Sequence, residues 1–350
     1  MTVIALCLCL IILIITILAI KYKPKDHSQY DHPKTPLIKQ ANELSDGHAA
    51  VLEKLVVFQQ QQTLDIKQAR RTMEELFGQD VDADIKPVDV DGIAAEWVLA
   101  SGADPSKRLL YLHGGAFRVG SPKSHRYITA EISKRAGVAV LAIDYRMQPE
   151  FKVTDCHADA QTAYRWILSN GPDGSQDEPR QLFVSGDSAG GNLTLSVIAW
   201  ARDKGLPQAT AAVAMAPLTD ATLSSASWQT NMATDPFLGP AIGKLIKMPK
   251  FLIAITSRFT SGAAVNTPLL SPLLGNLDNL PDTLIQVSRD EMLFDDSQRY
   301  YNKAISAGSK IELQVWPKMV HVFQAFGPDL QEANEALDNI GDYIRSFDNT

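Results

Sequence analysis

A serine flanked by glycines is the residue in this chain best placed to act as a nucleophile. The segment Gly186-Asp187-Ser188-Ala189-Gly190 directly follows a short apolar run and directly precedes an amphipathic stretch. This arrangement predicts a sharp turn from strand to helix that lifts the serine hydroxyl out at the edge of a sheet. Glycines suit such a turn because backbones approach one another closely there. Ser188 is therefore our candidate for attack on an acyl carbon.

A second glycine-containing loop lies upstream of the serine. His113-Gly114-Gly115-Ala116-Phe117 follows the apolar run from Leu109 to Leu112. Two consecutive glycines allow backbone N–H groups to turn toward one point, which is what an oxyanion hole requires. We expect the amides of Gly114, Gly115 and Ala189 to form that hole. His113 is expected to pack the loop rather than to act as a base.

A serine hydroxyl needs a base to take its proton, and the base needs a carboxylate to orient it. In folds that carry the nucleophile on such a turn from strand to helix, the order of the catalytic residues along the chain is serine, acid, histidine. Of the seven histidines only His321 lies downstream of Ser188. It is the candidate base.

The candidate acid lies in a loop with four carboxylates, residues 288–296. Asp295 and Asp296 are placed to cap the helix that follows, where a carboxylate stabilises free N–H groups. Asp290 and Glu291 remain, and their spacing alone does not separate them.

These residues require a scaffold of short apolar strands that alternate with amphipathic helices. That alternation predicts an α/β fold with a mostly parallel sheet covered on both faces. The predicted strands are Ala95–Leu99, Leu109–Leu112, Val138–Ile143, Leu182–Ser185, Ala211–Met215, Thr283–Val287 and Ile311–Val315. The predicted helices are Ser124–Arg135, Cys156–Leu168, Ala189–Ala201, Asp296–Ala307 and Gln331–Phe347.

Composition shifts divide the chain into a small number of segments. Residues 23–48 are rich in Lys, Asp, His and Pro and are predicted to form a linker. Residues 49–87 carry a helical apolar pattern that is broken near residues 59–62 and are predicted to be N-terminal cap helices. Residues 88–350 form the predicted catalytic domain. Its alternation is interrupted at about 224–268, which we interpret as an inserted cap over the carboxyl edge of the sheet.

The first 22 residues are predicted to be a transmembrane anchor. Val3 to Ile20 is an 18-residue run that is apolar except for one threonine, close to the roughly 20 residues needed to cross a bilayer. Lys21, Lys23 and Lys25 follow, and the positive-inside bias places the catalytic domain on the cytoplasmic side. The alternative is an uncleaved export signal with the enzyme outside.

Overall charge and cysteine content exclude some classes of partner. The net charge of −7 and the absence of a cluster of Lys and Arg argue against binding of nucleic acid. Cys156 is the one cysteine outside the apolar leader, so no disulfide is expected within the domain.

Taken together, these motifs resemble the hormone-sensitive-lipase-like family of bacterial esterases and lipases. The matching blocks are HGGAF at 113–117, Asp144-Tyr145-Arg146 with Pro149-Glu150, GDSAGGN at 186–192, Pro217 with Thr219-Asp220, Ser271-Pro272, and His321 with Phe323. The resemblance implies an α/β-hydrolase fold with an eight-stranded, mostly parallel sheet and a helical cap. The family's acid pattern lies in register with Leu293, Asp295 and Asp296, which implies Glu291 as the triad acid and leaves Asp290 as the alternative.

The chain departs from the family pattern at three places. Ala116 replaces a glycine in the oxyanion loop, Met147-Gln148 replace Leu-Ala, and Ser288 replaces a glycine beside the acid.

The function expected from these residues is hydrolysis of carboxylic esters through an acyl-enzyme, on acyl chains of short to medium length. An amidase or a lactone hydrolase with the same triad is the alternative. No cofactor and no metal are required. The group Asp155-Cys156-His157-Ala158-Asp159 does not converge on one point if it is helical, so we do not expect it to bind a metal.

Overall fold

The computed structural model describes residues 13, 16–17, 26–31, 37–38, 45–61 and 63–348. Its strands are β1 (Leu37–Ile38), β2 (Asp84–Val90), β3 (Ile93–Leu99), β4 (Asp104–Leu112), β5 (Val138–Ile143), β6 (Gln181–Asp187), β7 (Ala211–Met215), β8 (Asp282–Ser288) and β9 (Ile311–Trp316). Its α-helices are α1 (Gly47–Gln60), α2 (Ile66–Phe77), α3 (Arg126–Ala136), α4 (Val153–Ile167), α5 (Ala189–Asp203), α6 (Ser227–Thr230), α7 (Leu238–Ile246), α8 (Lys250–Ser261), α9 (Phe294–Ser306) and α10 (Gln331–Arg345).

All of these strands belong to one sheet with the order β1-β9-β8-β7-β6-β4-β5-β3-β2. In this order, each strand from β1 through β9, β8, β7, β6 and β4 to β5 runs parallel to its neighbours within that part of the sheet. The strand β3 runs antiparallel to both β5 and β2. The predicted α/β-hydrolase fold with a mostly parallel eight-stranded sheet is confirmed, and the two-residue β1 extends that sheet at one edge.

Helices cover both faces of the sheet, as the apolar strands require. On one face α4, α5 and α9 contribute to a large apolar cluster with alternate residues of the strands. On the other face α3 and α10 pack against the remaining strand residues. Because parallel strands are buried on both faces, their residues are mostly apolar, and every residue of β5 and β7 is buried.

The strand β2 was not predicted. It carries Pro87, and most of its residues are exposed or half-buried. Among the described strands it pairs only with β3 and forms the edge of the sheet, a position that tolerates proline and mixed polarity. The strand β2 therefore begins at Asp84, four residues before the expected start of the catalytic domain at Val88.

The segments expected to form a cap are helical. The helices α1 and α2 correspond to the predicted N-terminal cap region, although α1 begins at Gly47, two residues before the expected start. Both pack against the loop and helix that follow β9. The helices α6, α7 and α8 lie between β7 and β8, within the predicted insertion.

The expected membrane localisation is corrected by the structure. The predicted anchor at residues 1–22 lies outside the described residues except for Leu13, Thr16 and Ile17. Within the part of the chain that is described, no helix combines the length and the apolar character needed to cross a bilayer. The prediction of a single-pass membrane protein with a cytoplasmic domain is therefore wrong.

Candidate active site

Ser188 lies between the last residue of β6 and the first residue of α5. Its backbone has φ 52° and ψ −114°, a conformation that non-glycine residues adopt at a cost of about 1–3 kcal/mol. The Ser188 amide donates to Met215 O at 2.8 Å, so the end of β7 holds the turn in place. The predicted sharp turn from strand to helix is therefore present, and the serine stands at the carboxyl edge of the sheet.

The two glycines beside Ser188 allow the turn to pack against the end of β4. A Cβ on Gly186 would lie 2.4 Å from Leu112 O, and one on Gly190 would lie 1.8 Å from the same oxygen. Both distances are well below van der Waals contact, and the opposing atom belongs to rigid backbone. The close approach of these backbones therefore requires glycine at both positions.

His321 lies between Ser188 and Glu291. Its Nε2 is 2.9 Å from Ser188 Oγ, and its Nδ1 is 2.9 Å from Glu291 Oε1. The second carboxylate oxygen of Glu291 accepts from the Ser288 amide at 3.0 Å. Both His321 and Glu291 are almost fully buried. The hydroxyl, the imidazole and the carboxylate thus form one chain of hydrogen bonds.

The neighbouring candidate acid points elsewhere. Asp290 Oδ2 accepts a hydrogen bond from the Lys318 amide, and the side chain is half-buried at the surface. Of the two carboxylates that the spacing left open, the structure therefore brings Glu291 to His321 and directs Asp290 away from it.

Charge pairing sets the protonation behaviour of the imidazole. Burial by itself lowers the pKa of His321, but the Glu291 charge and the hydrogen bond to it have the opposite effect, and the pKa of His321 is raised overall. Burial also raises the pKa of Glu291, against the effect of His321. A carboxylate in this position favours the Nδ1-protonated tautomer, which leaves Nε2 free to accept the serine proton.

One of the three amides expected to form the oxyanion hole is engaged inside the protein. The Gly114 N–H donates to Asp187 Oδ1 at 3.0 Å inside the protein, so it is engaged. Gly115 and Ala116 line the cavity next to Ser188. Both have positive φ, 116° and 54°, which turns this stretch of backbone sharply. Ala189 is the first residue of α5 and lies directly after the serine.

A buried network behind this loop was missed by sequence reasoning. Asp187 accepts hydrogen bonds from Tyr111 OH at 2.7 Å and from Gly114 N, and its Oδ2 lies 3.4 Å from His125 Nε2. Burial disfavours both charges, but the attraction between them dominates, so the pKa of Asp187 is lowered and that of His125 is raised. The signal that could have located this network is the aspartate directly before the nucleophile, at the end of a strand whose central residues are apolar.

His113 packs within the loop. Its ring stacks on Tyr145 with 4.2 Å between centroids, and its Nδ1 lies 2.8 Å from Gly114 O. Burial lowers the pKa of His113 to about 3, which keeps the ring neutral.

A cavity of about 840 Å³, including its open mouth, lies over Ser188 and His321. Its wall is apolar and comes from α1, α2, α7 and the loop after β9. Four aromatic rings in this wall contact one another with centroid distances of 5.3 to 6.3 Å. The rings are those of Phe58, Phe77, Phe237 and Phe326.

Comparison with known proteins identifies the family. Residues 109–325, more than half of the chain, match a family model described as an alpha/beta hydrolase fold. An acetyl-hydrolase of Streptomyces hygroscopicus is 35% identical over 259 residues, which cover 74% of this chain and 82% of that protein. The esterase LipU of Mycobacterium tuberculosis is 35% identical over 268 residues, which cover 74% of this chain and 85% of that protein.

Solved structures agree with these relatives. An esterase from the bacterial hormone-sensitive lipase family superposes with a TM-score of 0.77 at 32% identity, covering 87% of this chain and 99% of that chain. These comparisons confirm the resemblance that the sequence motifs indicated. The chain belongs to the hormone-sensitive-lipase-like family of the α/β-hydrolase superfamily, and it is a serine carboxylesterase or lipase.

Proposed function

We propose that this chain hydrolyses carboxylic esters through a triad of Ser188, His321 and Glu291 and an acyl-enzyme intermediate. One observation carries the proposal: His321 lies within hydrogen-bond distance of both the serine hydroxyl and the glutamate carboxylate. This arrangement matches the requirements for a serine nucleophile with an oriented base.

The reaction has two steps with balanced proton transfers. His321 Nε2 takes the proton of Ser188 as Oγ attacks the ester carbonyl, and the same proton passes to the departing alkoxide when the carbon–oxygen bond breaks. Water then attacks the acyl-enzyme and gives a proton to His321, which returns it to Ser188 as the acid leaves. Glu291 stabilises the imidazolium in both steps.

The oxyanion is proposed to bind the amides of Gly115, Ala116 and Ala189. This set replaces the expected Gly114, because the Gly114 N–H already donates to Asp187. Gly114 instead ties the oxyanion loop to the residue before the nucleophile through that bond. Preorganised donors of this kind stabilise charge that develops in the transition state.

We propose acyl chains of short to medium length as substrates. The apolar cavity next to Ser188 provides a surface for the acyl chain, and its aromatic rings limit the space available to a long one. Burial of an acyl chain against this apolar wall contributes about 0.8 kcal/mol of binding free energy per methylene group, up to the length at which the chain meets the aromatic rings.

Substitution of the nucleophile tests the proposal. We expect Ser188→Ala to lower the turnover of p-nitrophenyl butyrate by a factor on the order of 10⁴ to 10⁶, because nucleophile and base act as a unit. A fluorophosphonate probe should label the parental protein at Ser188 and leave the variant unlabelled. Ser346→Ala, at an exposed serine after α10, is the matched control and should retain parental turnover. Parental turnover in Ser188→Ala would overturn the proposal.

A further inference from the structure

The loop that carries Glu291 is held by one segment of the cap region, residues 227–235, which we call the strap. Each backbone carbonyl from residue 289 to residue 292 accepts a hydrogen bond from a strap side chain. The bonds run from Asn231 Nδ2 to Arg289 O and to Glu291 O at 2.9 Å, from Thr234 Oγ1 to Asp290 O at 2.9 Å, and from Ser227 Oγ to Met292 O at 2.8 Å.

Asp235, the last residue of the strap, joins the loop to α7. Its Oδ2 accepts from the Met292 amide at 2.9 Å, and its Oδ1 accepts from the Phe237 and Leu238 amides at 3.0 and 2.8 Å. The side chain is only 2% exposed. A single buried carboxylate therefore caps the start of α7 and fixes the residue that follows the candidate acid.

The residue directly before α7 contacts the base. The Phe237 ring stacks on His321 with 5.9 Å between centroids and 27° between planes, and Leu238, Ala241 and Ile242 line the cavity beside it. Apolar strap and cap residues also pack against the loop, where Trp228 shares a buried cluster with Met292 and Leu293. The strap thus contacts the acid loop through both polar and apolar groups.

The charge of Asp235 also acts on the triad. Three carboxylates act on the charge of His321: Glu291 through a direct hydrogen bond, and Asp235 and Asp187 through their charges. Each of these charges raises the pKa of His321, against the effect of burial. Asp235 also raises the pKa of Glu291, because two like charges lie close together in a buried site.

We propose that the strap is the positioning element for the triad acid and that Asp235 is its principal positioning residue. Asp235 touches neither the substrate nor the reacting atoms, and it acts through the loop that carries Glu291. This inference rests on the proposed function, because it assigns a role within the same triad. Catalysis is sensitive to the placement of such groups, since a displacement of about 1 Å can cost a factor of about 100 in rate.

Asp235→Asn tests the role of this carboxylate. The variant retains an oxygen for the α7 amides but loses the negative charge and presents an amide to the Met292 N–H. We expect kcat to fall about tenfold with KM within about twofold, because the geometry of the triad changes while the cavity does not. The acid limb of the pH profile should move to lower pH, because one of the charges that raise the pKa of His321 is gone.

Asp235→Glu separates charge from simple structural support. It preserves the carboxylate, so the acid limb should stay at the parental pH even if the melting temperature falls. A purely structural role predicts instead that both variants lose thermal stability and that neither moves the limb. That result, or a parental kcat and limb in Asp235→Asn, would overturn the inference.

A second pair of variants carries the test if Asp235→Asn does not fold. Asn231→Ala removes two hydrogen bonds to the acid loop, and it should slow fluorophosphonate labelling of Ser188 several-fold. Gln229→Ala, at an exposed residue of the same strap, should label at the parental rate. Equal rates in both variants would contradict the role of the strap. If the parental protein itself is not labelled, the proposed function fails, whereas parental labelling with unaffected strap variants refutes only this inference.

Discussion

Replacement of Glu291 by glutamine isolates the contribution of the carboxylate to the proposed triad. The side chain is 1% exposed, and its two oxygens bond to His321 Nδ1 and to the Ser288 amide. Glutamine has nearly the same shape but no charge, and it favours the wrong imidazole tautomer. Loss of the corresponding carboxylate in serine hydrolases lowers kcat by about 10⁴, so we expect a loss of about 10³ to 10⁴ here.

The pH dependence provides a second, independent measurement. His321 must be neutral to accept the serine proton, so activity falls as the pH drops through its pKa. In the parental protein Glu291 raises that pKa above its ordinary value. Without the charge, burial lowers the pKa, and the acid limb of kcat/KM should move to lower pH. The assay is hydrolysis of p-nitrophenyl butyrate between about pH 5 and 9, with product measured after an alkaline quench.

Asp290→Asn is the matched control, because it changes the adjacent carboxylate while leaving His321 untouched. Asp290 contacts the Lys318 amide, and asparagine can still accept that hydrogen bond. We expect kcat within about twofold of the parental value and an unchanged acid limb. Equal losses in the two variants, or a larger loss in Asp290→Asn, would refute the assignment of Glu291 as the acid.

Three further predictions concern the cavity, the nucleophile turn and the buried thiol. Phe58→Ala removes an aromatic ring from the cavity wall and should raise the ratio of kcat/KM for the decanoate ester to that for the butyrate ester about tenfold. Phe259→Ala, at a ring that is 76% exposed, should leave this ratio unchanged, and the same ratio in both variants would contradict the proposal that the rings limit chain length. Gly190→Ala places a Cβ 1.8 Å from Leu112 O and should lower the free energy of unfolding in urea by about 3 kcal/mol, and a loss below about 1 kcal/mol would show that the turn can relax. Burial raises the pKa of Cys156 to about 12, so its peptide should resist iodoacetamide at neutral pH until the protein is unfolded, as measured by mass spectrometry, and rapid native labelling would disprove its burial.

The sequence was informative where one physical signal dominated. Apolar runs located the seven inner strands, six of which pair in parallel with one another and are therefore buried on both faces. Chain order singled out His321, and the structure brings its Nε2 within 2.9 Å of Ser188 Oγ. Each of these predictions depended on local composition or on order along the chain, and both are visible without coordinates.

Other features depended on how distant segments meet. The strand β2 gave no apolar signal because it forms an exposed edge. The bond from Gly114 to Asp187 joins residues that are 73 positions apart, so the spacing around Gly114 could not show that its amide is engaged. Asp235 acts on a loop that lies 57 positions away at Met292. Adjacent Asp290 and Glu291 point in different directions because of the path of one loop, which residue types alone do not determine.

The arrangement of the sheet has a consequence for how activity arises during folding. Ser188, Glu291 and His321 follow β6, β8 and β9, and β7 lies between the first two of these strands. The base and the nucleophile are separated by 133 positions, so their meeting requires most of the parallel ladder to be in register. Such long-range pairings form slowly. Esterase activity during refolding should therefore return only after the bulk of the helical signal, and its recovery is a measure of completed sheet assembly.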